Sequence, residues 1–243
     1  MKKNSKNDKM NEPRKGLKDI WNADMVEGAT FSENDIPFCP TTATMVPEEI
    51  ITWDEAKHIC KASLANGDTN FMHNAFVCFY LDDYKFDGSK GIWKNKKVSL
   101  DVLRHFAGVI TPDFSTYQDF PDPIKRYNTY RMRSCGFYYG RNGIAVINNV
   151  RWGTPETWRY CWDGISFNSI VCIGTVGGNP RKLEDRSRFE AGLDEMVRVL
   201  SPHTILVYGS ANYPCFEKLK EHGINVIAYP SRTASAFERR RTR

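Results

Sequence analysis

The sequence predicts an α/β domain built on a mostly parallel sheet of about six strands, with helices alternating between them. Three observations carry this. Short apolar runs rich in β-branched and aromatic residues, such as 76–81 and 204–209, recur along the chain and have the length and composition of buried strands. Segments with helical spacing and recognisable start and stop residues separate them. No two-residue hairpin turn joins one run to the next and no fixed-period repeat is present, so the runs are linked by crossovers and lie parallel. An open doubly wound sheet and an incomplete β/α barrel both satisfy this alternation. A complete eight-stranded barrel would need two more strands from residues 31–75, where at most one is found.

The elements follow in order. Residues 1–30 are charged and non-periodic, anchored only by Leu17, Ile20 and Trp21, and are expected to form a flexible basic arm. Ile36-Pro37-Phe38-Cys39-Pro40 reads as an extended loop, because proline and the residue before it avoid helix. Thr52 and Glu55 form a capping box, followed by Trp53, Ala56, Cys60 and Leu64 on one helical face and by Asn66-Gly67 as the stop. The strand at 76–81 ends in Asp82-Asp83, and a Lys/Gly-rich loop covers 85–97. A short helix over 98–107 closes at Gly108. The strand at 109–114 carries Asp113 near its end, and Asp122-Pro123 starts a helix.

Asn142-Gly143 opens the strand at 144–150, which turns polar at Asn148, Asn149 and Arg151. Thr154 as N-cap and Pro155 at the first helical position then start a helix reaching Trp162. The strand at 169–176 runs into Gly177-Gly178-Asn179-Pro180-Arg181-Lys182. A helix over about 186–200 shows Phe189, Leu193, Met196 and Leu200 on one face. Strand 204–209, a helix from Pro214 to Gly223, strand 224–229 and an Arg-rich tail complete the chain. The expected organisation is an arm at 1–30, one α/β domain at 31–230 and a tail at 231–243.

Composition bounds the function. At 243 residues, with 41% hydrophobic and 13% aromatic content, the chain suits one domain with a real core. No run of about 18 apolar residues exists, so no membrane span is expected, and the polar N-terminus makes a cytoplasmic protein the default. The seven cysteines are odd in number and lack metal-ligand spacing; they read as reduced, buried hydrophobes. The net charge of +5 resolves into +4 for residues 1–20, +4 for 231–243 and −3 for the body between them. Such tails attract nucleic acid without reading its sequence, or stand solvated with no partner.

In a parallel sheet all strand C-terminal ends lie on one edge, where α/β folds place their ligands. That edge gathers Asp82, Asp83, Asp113, Asn149, Arg151 and Tyr208. Asp82 and Asp113 could hold Mg²⁺ through one or two oxygens each, Arg151 could clamp an anionic oxygen, and acid–base work would fall to Asp or Tyr. Gly177, Gly178, Arg181 and Lys182 outline a phosphate cradle, without the Walker ending or the dinucleotide glycine pattern. The plainer reading is that these polar groups cap loops and turns. Asp113 and Arg151 could likewise pair only with each other. All five histidines fall away from the edge, which disfavours Ser-His hydrolysis and a His-rich zinc site. Trp152, Trp158, Tyr160 and Trp162 could stack bases, although Trp158 and Trp162, four residues apart, suit a core-facing stripe better.

Val109–Tyr117 (Val-Ile-Thr-Pro-Asp-Phe-Ser-Thr-Tyr), Asn149–Gly153 (Asn-Val-Arg-Trp-Gly), Trp162–Ile165 (Trp-Asp-Gly-Ile), Val207–Gly209 (Val-Tyr-Gly) and the turn Thr175–Gly178 (Thr-Val-Gly-Gly) carry a resemblance. Over roughly residues 35–230 the chain resembles an uncharacterised family of bacteria, phages and mobile elements. The resemblance implies a mobile-element context and brings no activity, cofactor or catalytic residue. Three functions stay open: an enzyme acting on a phosphate-bearing substrate, nucleotide or nucleic acid; a non-catalytic DNA- or RNA-binding protein using its basic tails; and a protein that acts on a host protein. A deep cleft lined by Asp and Arg at the strand ends favours the first, a flat basic face the second and an exposed apolar patch the third.

Overall fold

The computed structural model describes residues 19–176, 183–232 and 234. They form one seven-stranded sheet in which every neighbouring pair is parallel. The strands are β1 (Ile50–Thr52), β2 (His73–Cys78), β3 (Phe106–Ile110), β4 (Val146–Asn149), β5 (Ile170–Gly174), β6 (Thr204–Tyr208) and β7 (Asn225–Tyr229). Six α-helices alternate with them: α1 (Trp53–Ala65), α2 (Lys96–Leu103), α3 (Asp122–Arg141), α4 (Trp158–Cys161), α5 (Leu183–Leu200) and α6 (Pro214–Glu221).

Local chemistry explains the agreements and the corrections. The Thr52–Glu55 capping box forms as expected. The strand beyond the expected six is β1, three residues directly ahead of that box. β3 begins at Phe106, because α2 has already ended at Leu103. Asn142 and Gly143 end α3 instead of opening β4, with Gly143 in the left-handed turn (φ 83°) that closes many helices. Thr154 makes no side-chain cap; Thr157 Oγ1 instead accepts from Gly153 N and donates to Thr154 O, and Pro155–Thr157 form a 3₁₀ turn ahead of α4. Within the expected arm, Met25 joins the helix-side core. The turn Ala23–Val26 buries Ala23, Met25 and Val26, and Arg141 donates to the carbonyls of Asp24 and Glu27.

Strand order decides between the two architectures left open. A doubly wound sheet reverses its order at a switch point, whereas here β1 to β7 lie side by side in sequence order. Crossovers of one hand then put every helix on the same face. Packing agrees. Trp53, Leu100, Met132, Leu193 and Phe216 of the helices meet Val77, Val146, Val171, Ile205 and Val207 of the strands. The opposite strand residues, among them Cys78, Ile110, Ile147, Cys172 and Leu206, meet one another and Ala43 and Val46, with no helix among them. The sheet also curls. Strands four places apart in a flat sheet are separated by roughly 19 Å, yet the rings of Tyr80, just past β2, and Tyr208, at the end of β6, stack with centroids 5.0 Å apart. Gly174 makes room: a Cβ there would lie 2.7 Å from the Tyr80 ring. The fold is an α/β half-barrel.

The interior is filled from below. β4 pairs with β5 only through Asn148 and Asn149, and residues 41–43 enter the gap beneath. Thr42 N and Ala43 N both donate to Val146 O, and Val146 N donates to Thr42 Oγ1. Cys39 lies in the helix-side core and Ala43 in the interior, so the chain crosses its own sheet between them. The Tyr229 hydroxyl then donates to Pro47 O. All seven cysteines are free and buried. Among the described residues no helix is long and apolar enough to cross a membrane.

Candidate functional site

At the C-terminal edge of β3 and β4, five side chains join in one chain of contacts. Arg151 donates from Nε to Asp113 Oδ1 at 2.8 Å and from Nη2 to Oδ2, a two-pronged pair. Asn149 Nδ2 donates to the same Oδ1 at 2.9 Å. The Tyr80 hydroxyl donates to Asn149 Oδ1 at 2.9 Å, and its oxygen lies 3.2 Å from Cys172 Sγ. Asn149 and Arg151, two residues apart, share the inner face because a strand alternates its side chains. Burial alone would lower the Arg151 pKa, but the charge and hydrogen bonds of Asp113 outweigh it and the value is raised. Burial pushes the Tyr80 phenol well above its usual range and the Cys172 thiol up to about 12.

A fully buried cation holds this edge from behind. Arg133 of α3 donates to the carbonyls of Asn149 (3.1 Å), Cys161 (3.0 Å) and Asp163 (3.0 Å). Burial pulls its pKa down to about 10, so it stays charged near neutrality. Two of those carbonyls end the α4 turn, where a cation is favoured.

The other expected site residues scatter. Asp82 is exposed and lies 3.7 Å from Lys85. Both oxygens of Asp113 are engaged by Arg151 and Asn149. Among the described residues no group of three His, Cys, Asp or Glu side chains is arranged to hold a metal. Asp83 accepts from Ser115 N and Oγ, tying the loop after β2 to the loop after β3; burial raises its pKa against those bonds. Tyr208 is buried, stacks on Tyr80 and accepts from Arg232 N. Gly177, Gly178, Arg181 and Lys182 lie outside the described residues, as do most of both basic tails. Trp152 and Trp162 pack against each other, and Trp152 against Phe189; of the expected stripe, Trp162 is buried in the core and Trp158 is only partly buried against it.

Beside the network a cleft of about 320 Å³ opens between the ends of β4 and β5 and the first turns of α5. Arg151 forms part of its wall with Trp152, Trp158, Pro155 and Ile173. Arg188 of α5 donates to Gln118 at 2.8 Å, and both residues line the cleft. Asp185 supplies a carboxylate. Two further lining residues carry buried polar atoms with no hydrogen-bond partner, Thr116 Oγ1 and Trp158 Nε1. Two other atoms of this kind, Asn148 Oδ1 and Trp162 Nε1, belong to residues that do not line the cleft. Sequence reasoning named Arg151, and Trp152 and Trp158 as possible base-stacking residues, but not Thr116, Gln118, Asp185 or Arg188. The one signal was Trp152-Gly153-Thr154-Pro155, a polar and aromatic turn directly after a buried strand.

Residues 30–230 match the profile of a family described as a domain of unknown function (DUF4417). Two phage proteins, each called Gene 1 protein, are similar to the chain. That of Mycobacterium phage D29 is 32% identical over 170 residues, 70% of this chain and 58% of the phage protein. That of Mycobacterium phage L5 is 32% identical over 168 residues, 69% of this chain and 68% of the phage protein. The match thus spans less than two thirds of the D29 protein. No solved structure is matched.

Proposed function

Because the chain belongs to the DUF4417 family, a domain of unknown function, its activity has to be read from the cleft, and we propose that it binds and acts on a phosphate-bearing substrate of the nucleotide class there. The observation that carries this is the pair of guanidinium side chains, Arg151 and Arg188, on one cleft that Trp152 and Trp158 also wall. An indole N–H can only donate and a guanidinium can only donate. A site built from such groups calls for acceptor oxygens and negative charge, as on a phosphate. The walls of Trp152, Trp158, Pro155 and Ile173 suit a flat apolar ring, so a base and its phosphate together satisfy both halves.

In this reading Arg151 holds an anionic oxygen through Nη1, which makes no hydrogen bond among the described residues. Asp113 and Asn149 are positioning residues: they fix the guanidinium and do not reach the cleft. Asp185 is the carboxylate placed to accept a proton from an attacking group. Tyr208 and Tyr80 close the barrel interior beneath.

The test is ligand-dependent melting with nucleoside mono-, di- and triphosphates and pyrophosphate. A ligand at 100 times its Kd stabilises the wild type by about 2.7 kcal/mol. Arg151→Met is expected to weaken that ligand at least tenfold, since a charge-assisted hydrogen bond is worth about 1.5–3 kcal/mol. Arg188→Met, at an exposed residue of the same cleft, is expected to weaken it while staying folded. A wild-type melting temperature that no phosphate compound moves, or variants that respond as the wild type does, would end this reading.

A further inference from the structure

We infer that the rim beside the cleft is a stacking platform for single-stranded nucleic acid, so that the substrate class is an oligonucleotide whose phosphate enters the cleft; this rests on the nucleotide reading above and narrows it. Two large aromatic side chains stand unusually open on the C-terminal edge, Tyr84 with 77% and Tyr117 with 57% of its surface exposed. They belong to the loops after β2 and β3. The bonds from Ser115 N and Oγ to Asp83 lock those loops together, with Tyr84 one residue beyond the acceptor and Tyr117 two beyond the donor. Tyr117 itself does not line the cleft, but its neighbours Thr116 and Gln118 do.

Exposed aromatic rings beside cations are what unstacked bases bind, because every base has a face to stack and a phosphate to neutralise. Lys85 Nζ sits 5.9 Å from the Tyr84 ring centre, and Arg151 and Arg188 flank the cleft entrance. The rim is not a basic patch. Asp82 lies beside Lys85, and Asp119 and Asp185 are nearby in sequence to Tyr117 and Arg188. Affinity on this surface therefore comes mainly from stacking and depends weakly on salt. Binding through the Arg- and Lys-rich termini would depend on it steeply.

The experiment uses the full chain and a fluorescein-labelled oligothymidylate, with thymidine monophosphate as the second probe, at about 50 and 200 mM salt. The wild type is expected to bind the oligonucleotide more tightly than the mononucleotide and to keep most of that affinity at the higher salt. Tyr84→Ala with Tyr117→Ala is expected to lower oligonucleotide affinity about tenfold or more and to leave the mononucleotide unchanged. Both side chains are exposed, so the fold should persist, and unchanged mononucleotide binding checks this directly. Oligonucleotide binding that vanishes at the higher salt, or is unaltered in the double variant, overturns the platform. Mononucleotide binding that survives either result leaves the cleft reading standing, whereas its absence in the wild type removes both.

Discussion

Two neighbouring groups of polar residues lie on one edge of the sheet, and their hydrogen bonding differs sharply. From Cys172 through Tyr80, Asn149 and Asp113 to Arg151, each side chain has a partner within the protein. A few residues away, Thr116 and Trp158 have buried groups with none. The first group is satisfied within the fold even though it contains the residues that look most reactive. The second is chemically plain yet incomplete. A buried polar group that is satisfied stabilises the fold, and one that is not is a cost the folded protein carries.

Mutation can break or sharpen this contrast. The largest effect is expected behind the network, at Arg133→Met. Three buried carbonyls lose their donor, so stability should fall by about 3–5 kcal/mol, read as a melting temperature lower by roughly 10–15 °C. A shift of only a degree or two would mean that water replaces the guanidinium and that the edge is looser than its bonds imply. Next comes Asp113→Asn, which leaves Arg151 half-buried without its counter-charge. A loss of about 2–3 kcal/mol is expected in denaturant melts. If that variant were instead as stable as the wild type, Asp113 would belong with the cleft and not with the framework.

In the cleft the sign should reverse. Thr116→Val removes an unpartnered polar atom at nearly constant volume. Stability is expected to stay level or to rise by up to about 1 kcal/mol. A loss of stability instead would show that the hydroxyl is satisfied in solution.

A last contrast is in pH dependence, and it separates the two groups again. The Cys172 thiol is held protonated up to about 12 in the folded chain, against an ordinary value of 9.0. Above pH 9 the unfolded state loses a proton that the folded state keeps. The stabilisation is complete below pH 9 and is lost as pH climbs toward 12, by about 1.4 kcal/mol per unit for each such thiol. Melting curves from pH 7 to 10 should be flat and then fall. Cys172→Ala should soften that fall, while Thr116→Val should trace the wild-type profile.

These contrasts also mark what the sequence could and could not disclose. The capping box at Thr52 and Glu55 and the apolar runs of β5 and β6 are local patterns, and they were legible. β1 was not, because three residues ahead of a helix cap leave no periodicity to read. Asp113, Asn149 and Arg151 could be placed on one edge, since parallel topology and strand alternation do that without coordinates. Whether they bond to each other or to a ligand depends on side-chain reach across strands. The curl that stacks Tyr80 on Tyr208, and the orphaned hydroxyl of Thr116, arise only when distant segments meet. Asp82, one residue from Asp83, looks the same in sequence and ends on the surface.

The strand-crossing segment at 39–43 has a consequence for the order of events in folding. Its partners are far along the chain: Thr42 meets Val146, 104 residues away, and Thr41 meets Ser166, 125 away. Those contacts cannot form until β4 and the start of β5 exist, although the segment itself is made much earlier. It has to wait, and then slot between two strands that would otherwise zip shut along their whole length. Refolding should therefore show a slow phase governed by long-range closure, in which a sheet with β4 and β5 wrongly paired at their lower ends must reopen before the plug can enter.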